Sequence, residues 1–264
     1  MRVTQADIAF AARLADAAGA AIRPYFRAEH GLETKADQSP VTLADRAAER
    51  AMRDLIAEAY PDDAIVGEEF GAAEGTSGRT WVLDPIDGTR AFIAGRPIFG
   101  TLIALLIEDW PMLGVIDQPV LGERWLGVIG QQTLFNGTPA HTRRCPALAG
   151  ASVATTSPHL FDAHQGEHYL ALAAAASGDM RQGPIYGGDC YNYGCLASGH
   201  IDVVVEAGLK LHDFAALVPV VEGAGGRMCD WQGEPLTADS TGEVIAAGDP
   251  ARIDDIIEAL ACRH

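Results

Sequence analysis

Residues 81–89 read WVLDPIDGT, which places two acids three residues apart at the end of an apolar segment. The apolar pattern predicts a short buried strand over residues 80–83. Pro85 disfavours the α-helical region for Asp84, so the chain stays extended before it turns. Asp84 and Asp87 can therefore face one point across a tight turn. Taken alone, the stretch is equally well interpreted as a strand-end turn with an aspartate cap.

The next two residues, Gly88 and Thr89, are predicted to open a helix. The free amide groups at a helix N-terminus favour an oxyanion or a phosphate. Carboxylate oxygens beside such an N-terminus suit Mg²⁺ that bridges to a phosphate group. The stretch thus predicts metal-assisted phosphate chemistry, provided that other acids reach the same place.

Two further acidic segments can supply those acids. Glu68 and Glu69 directly follow a predicted strand over residues 64–66, so they should lie near the same strand ends. Asp213 follows His212 and precedes an apolar helix. The alternatives are a solvated loop for the two glutamates and a helix N-cap for Asp213.

The N-terminal half contributes Lys35 and residues 39–45, which read SPVTLAD. These residues lead into a predicted second helix. Asp45 lies three residues after Thr42, so a capping box is a serious alternative to a role for Asp45 in the site.

Helix and strand patterns divide the chain into an antiparallel-rich first part and an alternating second part. Helices are predicted over residues 4–27 and from Thr42 to the residue before Pro61, with strands following at 99–107, 112–116 and 124–129. In the second part we predict strands at 152–155, 201–206 and 244–247, and helices at 163–177, 191–198, 212–222 and 250–261. This order predicts an α+β fold leading into α/β. Turn-rich residues 135–146 mark the expected boundary between subdomains of residues 1–140 and 141–264.

The charge and composition exclude several classes of partner. Thirty-six acidic residues oppose nineteen basic ones, for a formal charge of -17. Nucleic-acid binding requires a basic surface, and an anionic membrane would repel such a chain, so we expect neither partner. Asp7, Arg13 and Asp16 interrupt the apolar N-terminal segment, which therefore does not resemble a secretion signal. Five cysteines without a CxxC pair indicate reduced thiols in a cytoplasmic protein.

The motifs together resemble the inositol monophosphatase family of metal-dependent phosphatases. Residues 84–89 match its first signature residue for residue, and residues 67–69 lie upstream as the family requires. Residues 212–226 resemble the second signature, usually written W-D…E-A-G-G. His212 replaces the usual tryptophan, and Gly223 is inserted after the glutamate. The resemblance covers residues 35–226 and implies a layered α-β-α-β-α sandwich.

The resemblance also implies a set of metal ligands. Glu68, Asp84 and the backbone carbonyl of Ile86 would hold a first Mg²⁺, and Asp84, Asp87 and Asp213 would hold a second. Glu68 and its bound waters would support a weaker third ion. Such ions lower the pKa of a bound water and stabilise the attacking and leaving oxygens.

The catalytic and phosphate-binding roles follow from the same resemblance. Thr89, paired with Asp45, would orient and help to deprotonate the attacking water, with Glu68 as a further catalytic residue. The amides of Gly88 and Thr89 would bind the phosphate, and Lys35 would lie near the metals. The family also implies a homodimer.

The second half of the chain is expected to select the phosphate ester. Glu206 lies where the family places an acid that contacts substrate hydroxyls, and residues 187–193 read GGDCYNY in place of the small residues typical of inositol phosphatases. That segment and residues 208–214, GLKLHDF, resemble the histidinol-phosphate phosphatase branch. Asp189 and Glu206 would then pair with the cationic groups of L-histidinol phosphate, and Arg181 would help to shape the pocket.

The alternatives at this end stay open. Asp189 can be a loop carboxylate or a helix cap, and Arg90 can contact the substrate or lie on the surface. The substrate can instead be inositol 1-phosphate or a range of sugar phosphates. A catalytically silent binding protein is disfavoured because all the ligand-type residues and Thr89 are present.

Overall fold

The structure is a computed structural model that describes residues 2–28, 33–34, 40–177 and 183–261. The helices are α1 (Gln5–Ile22), α2 (Leu43–Ala59), α3 (Thr89–Ile93), α4 (Ala163–Ala176), α5 (Asp189–Ala197), α6 (Leu211–Phe214), α7 (Leu217–Gly223) and α8 (Ile253–Leu260). The strands are β1 (Glu33–Thr34), β2 (Pro40–Val41), β3 (Ala64–Gly67), β4 (Gly71–Ala73), β5 (Arg79–Asp87), β6 (Gly100–Ile107), β7 (Trp110–Gln118), β8 (Glu123–Val128), β9 (Leu134–Phe135), β10 (Thr138–Pro139), β11 (Val153–Thr155), β12 (Ile185–Tyr186), β13 (Val203–Glu206), β14 (Arg227–Cys229) and β15 (Val244–Ala247).

Two large sheets organise these elements. An eight-stranded sheet has the order β10-β9-β8-β7-β6-β5-β3-β4, and only its β3–β5 pair is parallel. A five-stranded sheet has the order β12-β11-β13-β15-β14, with β11 parallel to both of its neighbours. Strands β1 and β2 form a separate two-stranded antiparallel sheet.

Three apolar clusters fill the four spaces between five layers, because one of them lies on both sides of the central helices. Along β5, Trp81 and Leu83 pack with α1 and α2, whereas Val82 points to the opposite face of the sheet and packs with α5, α6 and α7. Along β13, Val204 faces those central helices, whereas Val203 joins α4 and α8. Since side chains alternate along a strand, each sheet buries both faces. The layered α-β-α-β-α arrangement is confirmed.

The predicted elements largely agree with the structure. Helix α1 begins with a capping box between Thr4 and Asp7, and α2 begins with one between Thr42 and Asp45. The helix predicted over residues 212–222 is present but interrupted, because α6 and α7 are separate elements, although Ala215 and Ala216 between them keep right-handed helical dihedrals. Pro219 lacks the N–H that a continuous helix would direct to the carbonyl of Ala215, and it is tolerated in the first turn of α7. The subdomain division at residue 140 stays a prediction.

Two further observations concern membrane-spanning helices and the cysteines. Within the described ranges, no helix has the length and apolar character needed to cross a bilayer. Cys145, Cys190, Cys195 and Cys229 are free thiols, which agrees with the expected reduced state, and Cys262 lies outside the described residues.

Candidate active site

An irregularity in β5 brings its two aspartates together. Asp84 pairs with Leu102 of β6, and Asp87 pairs with Gly100, so three steps on β5 match two steps on β6. Residues three apart on a regular strand point to opposite faces, and one extra residue in a bulge can return them to the same side. The backbone N–H of Ile86 also donates to Oδ1 of Asp84 at 3.0 Å, which holds that carboxylate beside the turn.

A third aspartate completes the cluster. Asp213 lies in α6, which packs against β5 and β6. Asp84, Asp87 and Asp213 each offer a carboxylate oxygen, and these oxygens all lie within 4.8 Å of one another. Burial raises the pKa of Asp84 well above its usual value, and the negative charges of Glu68, Asp87 and Asp213 raise it further. Burial likewise raises the pKa of Asp87 and of Asp213.

Glu68 reaches the cluster from the neighbouring parallel strand. Gly67 of β3 lies opposite Leu83 of β5, and the backbone N–H of Glu68 donates to the carbonyl of Leu83 at 3.1 Å. Because β3 and β5 are parallel and Gly67 lies opposite Leu83, the next residues, Glu68 and Asp84, lie side by side. The sequence-based placement of Glu68 beside Asp84 therefore agrees with the structure.

The donor set fits a hard divalent cation. Three converging carboxylates, with Glu68 beside Asp84, repel one another strongly unless a cation lies between them, and hard cations prefer such oxygen ligands. The carboxylate of Asp45 is 1% exposed, and its Oδ1 has no hydrogen-bond partner among the described residues. A buried acceptor without a donor is suited to a bound water or ion.

Asp45 and Thr89 make other contacts in the described structure. Oδ2 of Asp45 accepts hydrogen bonds from the N–H and hydroxyl of Thr42 at 2.8 and 2.5 Å, so the capping-box interpretation holds for that oxygen. The hydroxyl of Thr89 donates to the carbonyl of Ile86 at 3.1 Å. Burial raises the pKa of Asp45 to about 6, and the charge of Glu68 adds to the rise. The pairing of Thr89 with Asp45 stays a prediction.

The turn after β5 is shaped by Gly88 and Asp189. Gly88 caps α3 with a φ of 87°, a left-handed conformation that glycine adopts without strain. A Cβ on Gly88 would lie 2.9 Å from Oδ2 of Asp189, so the carboxylate of Asp189 rests directly against this turn. Asp189 itself has a φ of 42°, which is unfavourable for a residue with a side chain. The N–H of Cys190 donates to Oδ2 of Asp87 at 2.6 Å and joins the start of α5 to the aspartate cluster.

Asp189 and Glu206 differ in their surroundings. Burial raises the pKa of Asp189 to about 7, with additional effects of Glu206 and Asp213, whereas Arg90 and Arg96 act in the opposite direction. Glu206, at the end of β13, is 5% exposed. Its two oxygens accept hydrogen bonds from the N–H of Thr156 at 2.9 Å and the hydroxyl of Tyr193 at 3.0 Å. Burial raises the pKa of Glu206 in spite of these bonds.

A cavity of about 470 Å³ connects these groups. Its walls include Glu68, Asp87, Gly88, Thr89, Asp189 and Asp213. Arg90, whose role the sequence left open, lines the cavity, and so do Arg96, Leu160 and Leu209, which sequence reasoning missed. Arg96 lies six residues after Arg90, and nearness to the motif was the only signal for it. Glu206 lines a smaller adjoining recess with Asp189.

Two predicted substrate-binding residues cannot be placed. Lys35 and Arg181 lie outside the described residues. Their roles therefore remain predictions.

The family model for the inositol monophosphatase family matches residues 4–264, nearly the whole chain. The chain belongs to the inositol monophosphatase family. The Arabidopsis thaliana protein named bifunctional phosphatase IMPL2, chloroplastic, is 48% identical over 256 residues, which cover 94% of this chain and 72% of that protein. A histidinol-phosphatase of Chlorobaculum parvum is 36% identical over 241 residues and covers 91% of this chain and 92% of its own length.

A solved structure agrees with the same assignment. An inositol monophosphatase from Zymomonas mobilis is 52% identical, has a TM-score of 0.89, and covers 99% of this chain and 100% of its own. Membership of the family and these relatives make the chain a phosphatase, that is, a phosphoric monoester hydrolase. The relatives carry different substrate names, so membership alone does not select the ester.

Proposed function

We propose that the protein is a Mg²⁺-dependent phosphatase that hydrolyses L-histidinol phosphate to L-histidinol and phosphate, a reaction of histidine biosynthesis. The observation that carries this proposal is the carboxylate of Asp189, which rests against Gly88 at the predicted phosphate-binding turn. An anion beside a phosphate site is unfavourable unless positive charge compensates it; Arg90 and Arg96 offset part of the charge of Asp189, and a cationic substrate would supply more. In histidinol phosphate the ammonium group is on the carbon next to the ester-bearing CH₂ group, so one carboxylate near the phosphate can reach it.

The acidic cluster would form the metal site. Two or three Mg²⁺ ions would be held by Glu68, Asp84, the Ile86 carbonyl, Asp87 and Asp213. The ions would neutralise the ester and lower the pKa of a bound water. The chain would then supply positioning, since phosphoryl transfer depends mainly on geometry and charge neutralisation.

The turn after β5 would bind the phosphate and orient the attacking water. Thr89 would orient the attacking water, and Asp45 would accept a proton through Thr89 at its buried Oδ1. The N–H groups of Gly88 and Thr89 would donate to the phosphate oxygens at the start of α3. Lys35 would add positive charge near this group.

The remainder of the ester would lie towards α5 and β13. Asp189 would pair with the ammonium group, and Glu206, whose carboxylate has lone pairs beyond its two hydrogen bonds, would attract a charged imidazole. Leu160 and Leu209 line the same cavity and would contact the ring. Arg181 would help to shape this end of the pocket.

A second candidate is hydrolysis of inositol 1-phosphate or of a range of sugar phosphates. The similarity to the inositol monophosphatase of Zymomonas mobilis, at 52% identity, favours it. Inositol carries only hydroxyl groups, however, and gives Asp189 no cation to bind. The histidinol-phosphatase relative supports the first candidate.

The substrate is tested by steady-state kinetics at saturating Mg²⁺. We expect kcat/KM for histidinol phosphate to exceed that for inositol 1-phosphate by about tenfold or more, as one charged hydrogen bond can supply. Phosphoethanolamine and ethyl phosphate form a matched pair, because only the former has an amine on the carbon next to the ester CH₂. A preference for inositol 1-phosphate, or inactivity with histidinol phosphate, would contradict the substrate proposal.

We also propose that the protein acts as a homodimer in the cytoplasm. The dimer is expected from the family. Light scattering of the purified protein should give twice the mass of the chain, and a monomeric mass at micromolar concentration would contradict this expectation.

A further inference from the structure

Glu49 is a fully buried carboxylate that the reaction described above does not use. It lies in α2 one helical turn after Asp45, and its exposed fraction is 0%. Residues four apart lie on the same face of a helix, so α2 presents two carboxylates towards the end of β3. A buried charge is costly unless it is paired and hydrogen-bonded, which makes its partners informative.

The partners of Glu49 are the backbone groups that follow Glu68. Its Oε2 accepts a hydrogen bond from the N–H of Glu69 at 2.7 Å, and its Oε1 accepts one from the N–H of Phe70 at 3.1 Å. Arg53, one turn later in α2, donates from Nε to Oε1 at 2.8 Å and from Nη2 to the carbonyl of Gly71. Glu49 and Arg53 thus join α2 to the loop between β3 and β4.

The residue before Glu68 also depends on Glu49. A Cβ on Gly67 would overlap Oε1 of Glu49, so the carboxylate touches the backbone on both sides of Glu68. The N–H of Glu68 is held from the other direction by the carbonyl of Leu83 in β5. The backbone of Glu68 is therefore fixed between β5 and α2.

We infer that Glu49 is a positioning residue that holds Glu68 in the conformation needed to bind Mg²⁺. This inference rests on the proposed role of Glu68 as a metal ligand. Glu49 does not reach the ion; it acts through charge-assisted hydrogen bonds to the adjacent backbone, which are stronger than those of a neutral acceptor. Groups that orient a metal ligand commonly affect metal affinity by about 10–100-fold.

The test is Glu49→Gln, which keeps the shape of the side chain and removes its charge. The amide nitrogen of glutamine cannot accept a hydrogen bond, so at least one backbone N–H loses its partner. We expect the Mg²⁺ concentration for half-maximal activity to rise about tenfold or more, with kcat at saturating Mg²⁺ within about threefold of the original. Calorimetric titration with Mg²⁺ alone should show the same loss of affinity. Glu49→Asp, which keeps the charge and withdraws it by one methylene, should shift the affinity in the same direction.

Asp202→Asn is the matched control. Asp202 is also buried, at 5% exposure, and its carboxylate accepts hydrogen bonds from an arginine, Arg143, and from the N–H of Ser152 at 2.8 Å. It lies beside β13, away from the cluster. We expect Asp202→Asn to lower the melting temperature and to leave the Mg²⁺ constants unchanged.

Two outcomes would overturn the inference. One is that both glutamate variants bind Mg²⁺ as the original protein does. The other is that Asp202→Asn weakens Mg²⁺ binding as much as Glu49→Gln, which would reduce Glu49 to a general stabilising role. Because calorimetry reads Mg²⁺ binding without substrate, these outcomes are distinct from failure of the proposed hydrolysis of histidinol phosphate.

Discussion

The two ends of the cavity carry carboxylates in very different situations. At the metal end, defined here as Glu68, Asp84, Asp87 and Asp213, the charged groups that raise the pKa of Asp84 are themselves carboxylates. At the substrate end, defined as Asp189 and Glu206, protein groups already compensate part of the charge. Arg90 and Arg96 oppose the rise in the pKa of Asp189, and Thr156 and Tyr193 bind Glu206.

The two ends differ in the charges around their carboxylates and not in hydrogen bonding alone, since Asp84 and Asp87 also accept backbone hydrogen bonds. A cluster of like charges needs an external cation for its stability. A carboxylate bound by backbone and hydroxyl donors contributes to the fold even without substrate. Substitutions at the two ends should therefore affect activity, selectivity and stability in different proportions.

The largest effect should come from Asp87→Asn at the metal end. The amide retains an acceptor for the N–H of Cys190 but loses the charge that binds a cation. We expect kcat/KM to fall about 1000-fold or more, since bound metals contribute several kcal/mol to the transition state. The metal-free melting temperature should not fall, because one repelling charge is removed. Unchanged activity would contradict the metal assignment, and Asp239→Asn on the surface is the control.

A smaller but selective effect is expected for Asp189→Asn at the substrate end. The loss of one charged hydrogen bond should lower kcat/KM for histidinol phosphate about 10–100-fold. For inositol 1-phosphate the change should stay within about threefold, since that ester has no ammonium group. Equal losses on both esters would show that Asp189 acts on the phosphate or the metals and not on the cation.

Compared with Asp189→Asn, Glu206→Gln should affect the stability of the protein more and its substrate selectivity less. The amide oxygen can still accept from the N–H of Thr156, but the amide nitrogen cannot accept from the hydroxyl of Tyr193. The charge-assisted bond from Tyr193 is therefore replaced by a weaker neutral one in which the hydroxyl accepts. We expect the melting temperature to fall by about 2–6 °C and kcat/KM for histidinol phosphate to fall about 3–10-fold. An unchanged melting temperature measured by calorimetry would contradict the internal role of this carboxylate.

The smallest effect is the pH dependence of the metal-free protein. The pKa of Asp45 is raised to about 6 and that of Asp189 to about 7, so the folded state binds more protons than the unfolded state between about pH 4 and these values. Stability should therefore rise as pH falls from 8 towards 5.5, because protonation removes the cost of burying these charges and some of their repulsion. The melting temperature should rise by about 2–4 °C per kcal/mol of stability gained. Saturating Mg²⁺ should make the melting temperature depend less on pH. A metal-free melting temperature that falls over the same range would show that other groups dominate.

The elements that depend on neighbouring residues could be predicted from the sequence. Capping spacing between Thr4 and Asp7 and between Thr42 and Asp45 correctly marks the starts of α1 and α2. The strand that carries Asp84 is visible as an apolar run, and the layered fold follows from the resemblance. The break between α6 and α7 was missed, although Pro219 is its local cause.

The features that depend on distant residues could not be predicted. The sequence predicted that Asp84 and Asp87 meet, but through a tight turn after a short strand. In the structure β5 continues to Asp87, and the two residues turn to one side through a bulge that exists only against β6. The contact between Asp189 and Gly88 joins residues about one hundred positions apart, and no spacing rule reports it. Glu49 was not singled out, because its partners are backbone groups that carry no sequence signal.

The sequence by itself therefore determined the family, the order of the layers and the acids available for the cation, because motifs, alternation and helix caps are local patterns. The tertiary structure decided which of those acids meet, which are already hydrogen-bonded, and which side chains such as Arg96 enter the cavity. Those outcomes depend on strand register, on a strained backbone at Asp189 and on the packing of α2 beneath a loop. Each of them is set by contacts between segments that the order of residues does not place side by side.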